Sequence, residues 1–507
     1  MSLTNNRVFA SEFFGKRCAA ALFSAALAAS LFPGVAYADV RSSDIIAGLS
    51  VQDRGLAASS CPNIVAEHSI VVDENGTVYF ERDADSQVQI ASVTKTMTAI
   101  VALEYGDLQN TTITVSQNAA SIGESSAMLQ AGDSMNLESA LKAMMICSGN
   151  DAATAIAESM GDSIRDTLKE KGDPNVPDGA YDAFVYAMNK KAKSLGMDDS
   201  LFANPHGLDF EQYSADMHCS ARDVAKMCTE AMKNETFRNT VSTEATTIQV
   251  LRNGQQADVK LESTDVLLGT YDGACGVKTG FTEKAGECFA GAVQRDGKIL
   301  YSIVLGSSTE AQRFTDATTL DDWVYGNTID YPLVHSDETA TYTTNKGTTA
   351  TVPVVANVSH SGWMDKTFKA TLSDPTASVK VFSLDGNVSQ DVQFDTVSGD
   401  VKPGQKVGTV TFYQHNEVIA QQDLVAADLV HFVHGQLGQI LTVEEDLAGV
   451  NIAVAVEQTE NAHGRDALTG TGFADDAEHL ARIQRIADAV DRLDRAALGC
   501  EESLQVF

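Results

Sequence analysis

Basic residues are scarce in this chain. Across 507 residues, 36 lysines and arginines face 69 aspartates and glutamates, a formal net charge of −33. So acidic a surface repels nucleic acid and anionic lipid headgroups, and it excludes nucleic acid as a partner. The chain also lacks any C-x-x-C pair and any cluster of histidines. Without those patterns no metal is expected, and nothing points to a cofactor. The last segment, residues 431–507, has no lysine, no apolar run of 18 residues, and only Phe432, Phe473 and Phe507 as aromatics. A transmembrane helix is therefore excluded there. No internal repeat is evident. Apolar residues make up 44% and charged residues 21%, the balance of a soluble globular protein, and the length suggests two or three domains.

Residues 1–38 have the pattern of a secretory signal. Arg7, Lys16 and Arg17 begin it, an apolar stretch follows from Ala19 to Leu31, and Ala36-Tyr37-Ala38 supplies an A-x-A cleavage site before Asp39. An uncleaved anchor is the competing reading. Cleavage leaves 33 basic and 68 acidic residues, a net charge of −35. It also leaves seven cysteines, an odd number with no spacing framework. Export permits disulfides, and Cys275 with Cys288 is the pair nearest the third motif below. Buried free thiols are the favoured reading.

Three short motifs stand out by their order: Ser92-Val-Thr-Lys95, Ser148-Gly-Asn150 and Lys278-Thr-Gly280. Each alone has an ordinary explanation. Ser92 can cap a helix, Ser148-Gly-Asn150 can be a turn, and Lys278 can guard a strand edge. Similar fragments recur at Ser139/Lys142 and Ser116/Asn118. The ordered set is what argues for a serine acyl-transfer enzyme. Ser92 and Lys95, three apart at a helix start, share one face. The serine needs a base, and Lys95 can serve if burial and a nearby cation such as Lys278 keep it neutral. Ser148 can relay a proton, and Asn150 can hold a substrate amide. Lys278, Thr279 and Gly280 on a strand edge can pair with an extended peptide and bind its carboxylate. Backbone N–H groups of Ser92 and Phe281 are the expected oxyanion donors. With a lysine base available, His206 and His218 are read as loop or packing residues.

Periodicity places these motifs in an α/β fold. Ile64–Val72 and Thr77–Phe80, joined at Asn75-Gly76, read as a hairpin with a two-residue type I′ turn. Helices are predicted over 137–147, from Asp151 to Glu158, from Tyr181 to Leu195 and from Ser220 to Met232, so 92–250 is mainly helical. After Gly273, strands return around Arg295-Asp-Gly-Lys298, and Thr309–Tyr325 closes as a helix. The expected layout is a sheet with flanking helices and a helical block. The divisions are a signal at 1–38, a catalytic domain at 39–328, a linker at 329–347, a small all-β domain at 348–430, and an acidic tail at 431–507. In the tail, Leu480, Ile483, Ala487, Val490 and Ala497 recur at helical spacing.

On these motifs the chain resembles the serine-type D-alanyl-D-alanine carboxypeptidases, the low-molecular-mass penicillin-binding proteins. Further segments carry the resemblance: Ser148-Gly-Asn-Asp-Ala152, Leu195-Gly196-Met197, Asn204-Pro-His-Gly-Leu-Asp209, Gly276-Val-Lys-Thr-Gly-Phe-Thr282, and Lys402-Pro-Gly-Gln-Lys-Val-Gly408 in the β-rich region. The resemblance implies a β-lactamase/transpeptidase-like catalytic domain. It implies removal of the terminal D-alanine from peptidoglycan stem pentapeptides through an acyl-enzyme on Ser92. It also implies β-lactams as covalent inhibitors and a place in the cell wall or at the outer face of the cytoplasmic membrane. Arg313 stands where the family carries an arginine for the substrate's terminal carboxylate. Two features depart from the family pattern. Asp265 replaces a frequent asparagine, and the acidic tail replaces the usual amphipathic or basic membrane anchor, so peripheral membrane association is the expectation least supported. The alternatives are a serine β-lactamase, for which the E-x-x-L-N motif is missing between Asn150 and Lys278, and a non-catalytic penicillin- or wall-binding module.

Overall fold

The computed structural model describes residues 39–343, 349–362, 366–427, 433–434 and 440–441. The expected signal and the amphipathic tail helix lie outside the described residues. Two compact units are present, one holding residues up to Pro332 with 378–389 and 413–419, the other holding the remainder.

The first unit is built on a seven-stranded sheet. Its order is Leu49–Ser50, Ile45–Ile46, Val78–Arg82, His68–Asp73, Lys298–Ser307, Gly286–Arg295 and Ala274–Thr282. Every pairing is antiparallel. Successive side chains on a strand face opposite ways, and here both faces are apolar. Val71, Phe80, Phe289, Leu300 and Val304 pack with Phe314 and Leu320 of the Glu310–Gly326 helix. Ile70, Val72, Ala290, Tyr301, Ile303 and Leu305 pack with Met97, Val101, Val224 and Cys228 of the helical block. The sheet is thus sandwiched between one helix and a block of helices, the expected layered α/β arrangement. Its free edge is Ala274–Thr282, which carries the third motif.

The helical block contains Lys95–Tyr105, Leu137–Met145, Asn150–Glu170, Ala180–Ser194 and Ala221–Ala231. The second helix–turn–helix runs far past the expected Glu158, to Glu170. A separate four-stranded sheet accompanies the block, and its Ala245–Arg252 and Gln255–Glu262 hairpin was not foreseen. Asn253 and Gly254 both have positive φ at its turn, the type I′ signature. Asp296 and Gly297 do the same in the foreseen hairpin.

The Asn75-Gly76 turn departs from expectation. Only Gly76 has positive φ, and its N–H bonds to the Asp73 carbonyl. This is a type I turn followed by a left-handed glycine, a bulged hairpin rather than type I′. The Asp73 carboxylate accepts from the N–H groups of Asn75 and Thr77, both at 2.9 Å, and so favours this geometry.

Segment 329–347, expected as a linker, contains strands. Thr328–Pro332 pairs with Ser378–Phe382, and Thr339–Thr343 pairs with Thr349–Pro353. The alternating threonines that suggested a polar linker also suit a half-exposed strand. A five-stranded sheet, most of whose residues belong to the second unit, runs in the order Ala356–Ser359, Thr367–Leu372, Glu417–Ala426, Lys406–Gln414 and Ser389–Phe394. Phe368, Leu372, Val407, Val410, Phe412 and Leu424 are buried there. The six described cysteines are all free thiols, and Cys275 and Cys288 lie at different levels of adjacent strands.

Candidate active site

Three elements converge on one cleft of about 380 Å³ in the first unit, lined by Ser92, Ser148, Asn150, Thr279, Gly280, Phe281 and Arg313 among others. Ser92 sits in a 3-10 turn, Ala91–Thr94, that runs directly into the Lys95–Tyr105 helix. Ala91 is held at φ 47°. Ser148 is also left-handed, at φ 62°, where the Leu137–Met145 helix ends, and the Gly149 N–H bonds back to the Ala143 carbonyl. Non-glycine residues are seldom held there unless the surroundings require it. Asn150 then starts the next helix.

Lys95 is fully buried, and its Nζ has three neighbours: Ser92 Oγ at 2.6 Å, Asn150 Oδ1 at 2.6 Å and the His206 carbonyl at 3.1 Å. The last two only accept hydrogen bonds. A neutral amine has two N–H donors and one lone pair. Donating to Asn150 and His206 leaves the lone pair for the Ser92 hydroxyl, the arrangement a general base requires. Burial first, and then the positive charge of Lys278, hold the Lys95 pKa well below the ordinary lysine value.

Asn150, expected to hold a substrate amide, also braces the site. Its oxygen accepts from Lys95 and its Nδ2 donates to the Gly123 carbonyl at 3.1 Å. Its backbone N–H reaches the Ser125 carbonyl at 2.8 Å. The neighbouring Asp151 carboxylate ties down the same loop, accepting from Ser126 Oγ at 2.7 Å and from the N–H groups of Ala127 and Leu129 at 3.0 and 3.1 Å. Glu124 and Ser125 of that loop line the cleft.

His206 is a packing residue, as expected, but its backbone matters. Burial drives its ring pKa down to about 3, and the ring stacks edge-on against Tyr213. Asn204 Oδ1 accepts from the Gly207 N–H at 2.6 Å, and Asn204 Nδ2 donates to the Leu208 carbonyl at 2.8 Å, which folds the loop. Thr98 Oγ1 donates to the Pro205 carbonyl at 2.6 Å, pinning it to the nucleophile's helix. Gly207, at φ 90°, lies so close to the nucleophile turn that a Cβ there would stand 1.9 Å from the Ala91 carbonyl oxygen. No sequence signal marked His206 as a backbone acceptor; only the Asn-Pro-His-Gly run hinted at a shaped loop.

On the edge strand, Gly280 approaches closely, and a Cβ there would lie 3.1 Å from the Ser92 nitrogen. The strand backbone, continuing into Phe281, therefore runs beside the serine amide. Lys278 is 1% exposed and donates to the Thr279 carbonyl at 3.0 Å, while Thr279 faces the cleft and its hydroxyl meets that of Thr264 at 2.6 Å. Burial first, then the Arg313 charge, lower the Lys278 pKa to about 7. Asp265, buried in the loop before this strand, is raised to about 6 by burial. Arg313 reaches the cleft from the Glu310–Gly326 helix. Its Nη1 contacts Glu287 Oε2 at 2.5 Å and the Gly280 carbonyl at 3.2 Å, and its Nη2 contacts Glu310 Oε1 at 3.3 Å. Ser92, Lys95, Ser148, Asn150, Lys278, Thr279, Gly280, Phe281 and Arg313 thus come together, while His218 is not among the cleft residues and pairs with Asp216. Glu287 and Glu310 were not singled out from the sequence, and neither was the 123–129 loop. Among the described residues no cluster of metal-ligating side chains occurs, and no helix is long and apolar enough to cross a membrane.

Comparison with known proteins finds a family and several relatives. A sequence model of the family described as D-alanyl-D-alanine carboxypeptidase matches residues 56–170 and 175–309. A D-alanyl-D-alanine carboxypeptidase of Bacillus subtilis (strain 168) is 28% identical over 370 residues, 72% of this chain and 85% of that protein. Another, of Streptomyces sp. (strain K15), is 32% identical over 253 residues, 48% of this chain and 81% of that protein. The crystal structure of the Streptomyces K15 DD-transpeptidase superposes with a TM-score of 0.47 at 29% identity, covering 52% of this chain and 98% of that one.

Proposed function

This chain belongs to the D-alanyl-D-alanine carboxypeptidase family, and on that premise we propose how its residues carry out the reaction on peptidoglycan stem pentapeptides. It is a serine-type hydrolase of that activity. The single observation behind the mechanism is the buried Lys95 amine at 2.6 Å from Ser92 Oγ, with its two other contacts to acceptors.

Ser92 Oγ attacks the carbonyl of the penultimate D-alanine as Lys95 takes its proton. The tetrahedral oxyanion rests on the backbone N–H groups of Ser92 and Phe281; losing one such donor typically costs about 10²–10³ in turnover. Ser148 passes the proton from Lys95 to the departing nitrogen. The C–N bond breaks, D-alanine leaves as the amine, and an ester on Ser92 remains. Water, deprotonated by the same lysine, hydrolyses that ester and restores the serine. Thr279 and Gly280 align the substrate backbone along the strand edge, and Lys278 and Arg313 supply the positive field for its terminal carboxylate. A β-lactam enters the same sequence, its amide bond standing in for the scissile one, and acylates Ser92. The pattern of residues 1–38 supports export, which would set the protein at the outer face of the cytoplasmic membrane, where its substrate lies.

The test uses a fluorescent penicillin and a peptide ending in D-Ala-D-Ala. The expected results are a covalent label on Ser92 and release of free D-alanine, both absent in Ser92→Ala. Labelling that persists in Ser92→Ala overturns the mechanism. Rapid penicillin turnover without D-alanine release makes the protein a β-lactamase instead.

A further inference from the structure

The cleft is lined by four carboxylates, Glu124, Glu283, Glu287 and Glu310, and by one guanidinium, Arg313. That guanidinium is already engaged. Its Nη1 is shared between Glu287 and the Gly280 carbonyl, and its Nη2 faces Glu310. The two glutamates are not equivalent. The Glu310 side chain is 74% exposed and can swing into solvent when a ligand arrives. The Glu287 side chain is 13% exposed and that of Arg313 only 5%. Glu287 projects from the strand next to the motif edge, in register with Phe281, and its burial leaves it less room to swing away than Glu310 has. A close charge pair of this kind is screened little by water.

We propose that Glu287 is a specificity-determining residue, one that neutralises Arg313 so that the cleft distinguishes only weakly between a leaving residue with a free carboxylate and one whose carboxylate is masked as an amide or continued in a peptide bond. The inference rests on the carboxypeptidase reading of the site. An incoming carboxylate can displace Glu310 and reach Nη2, but it does so beside the fixed negative charge of Glu287. Part of the attraction it gains from Arg313 is thereby cancelled. A neutral amide or a continuing peptide loses nothing from the same charge. The acidic rim therefore narrows the advantage of substrates in which D-alanine is the last residue.

The experiment compares kcat/KM for one N-acylated peptide ending in D-Ala-D-Ala with that for the same peptide as its C-terminal amide. Wild type is expected to prefer the free acid by less than about tenfold. Glu287→Gln, which keeps the shape and removes the charge, should raise that preference by about tenfold, well under the full interaction of one close charge pair near a protein surface. Glu310→Gln should raise it by less. In an Arg313→Ala background Glu287→Gln should raise the preference by less, since it then relieves only the direct repulsion of the carboxylate and frees no guanidinium nitrogen to bind it. A merely structural role for Glu287 would lower both substrates alike. An unchanged ratio in Glu287→Gln, in protein that still takes the fluorescent penicillin on Ser92, overturns the inference and leaves the carboxypeptidase reading standing. Wild-type protein that neither labels nor cleaves either peptide overturns that reading, and the inference with it.

Discussion

Lys95 Nζ lies 2.6 Å from Asn150 Oδ1, so the second motif supports the base of the first. Asn150→Ala removes that acceptor and is expected to slow acylation by penicillin about 10²-fold, within the range for a mispositioned general base. Asn150→Asp should behave differently. A carboxylate beside Lys95 favours the protonated amine, so the rise of the acylation rate with pH should move to higher pH. Stopped-flow acylation across pH 5–10 checks both, and an unmoved profile in Asn150→Asp counts against Lys95 as the base.

A fall on the alkaline side of the profile is expected from Lys278. With a pKa near 7, it is charged below that pH and neutral above it, so kcat/KM for carboxylate-bearing substrates should fall as pH rises through about 7. Lys278→Arg keeps its charge throughout this range and should remove the decline, even if the maximal rate drops. A decline of the same midpoint in that variant would assign it to another group.

Gly207→Ala should cost about 2 kcal/mol or more in stability, because both the positive φ and the collision with the Ala91 carbonyl oppose it. Acylation should fall further than stability explains, since the nucleophile turn must move. Gly254 offers the comparison. It has positive φ and an open surrounding, so Gly254→Ala should cost about 1 kcal/mol from the backbone alone and spare acylation. Chemical denaturation and penicillin labelling separate the two effects.

Asp321 is buried against the sheet, with Ser302 Oγ at 3.3 Å, and burial raises its pKa to about 8. In the unfolded chain it ionises near the ordinary aspartate value. Its folded form therefore holds the proton longer, and stability falls as pH rises from about 4 to about 8. Asp321→Asn should remove this dependence and raise Tm more at pH 8 than at pH 5. Equal shifts at the two pH values would contradict the assignment.

The residues that meet at the cleft could be read from the sequence because each motif is local, with the serine and lysine of the first three apart and the other two a turn and an edge. The transpeptidase-like layering was legible for a similar reason, since strand and helix periods alternate clearly along residues 64–325. What escaped depends on distant segments meeting. The His206 carbonyl becomes a lysine ligand only when the 204–209 loop lies on the nucleophile turn. Glu287 becomes relevant only when its strand stands beside the motif edge and the Glu310–Gly326 helix brings Arg313 across. At Asp73 one side chain changed the turn that Asn75-Gly76 otherwise specifies, and at 329–347 threonine-rich strands passed for a linker.

The sheet and the helical block must both be complete before Ser92, Asn150, the His206 carbonyl and Gly280 stand together. No fragment of the first unit holds more than part of the set, and the residues involved are spread over most of its length. Enzymatic turnover is for this reason a cooperative readout: it should vanish with the last-formed contacts and return only when the whole unit has refolded. Partially folded forms would lack activity, so a covalent label that depends on Ser92 would serve as a census of fully native molecules.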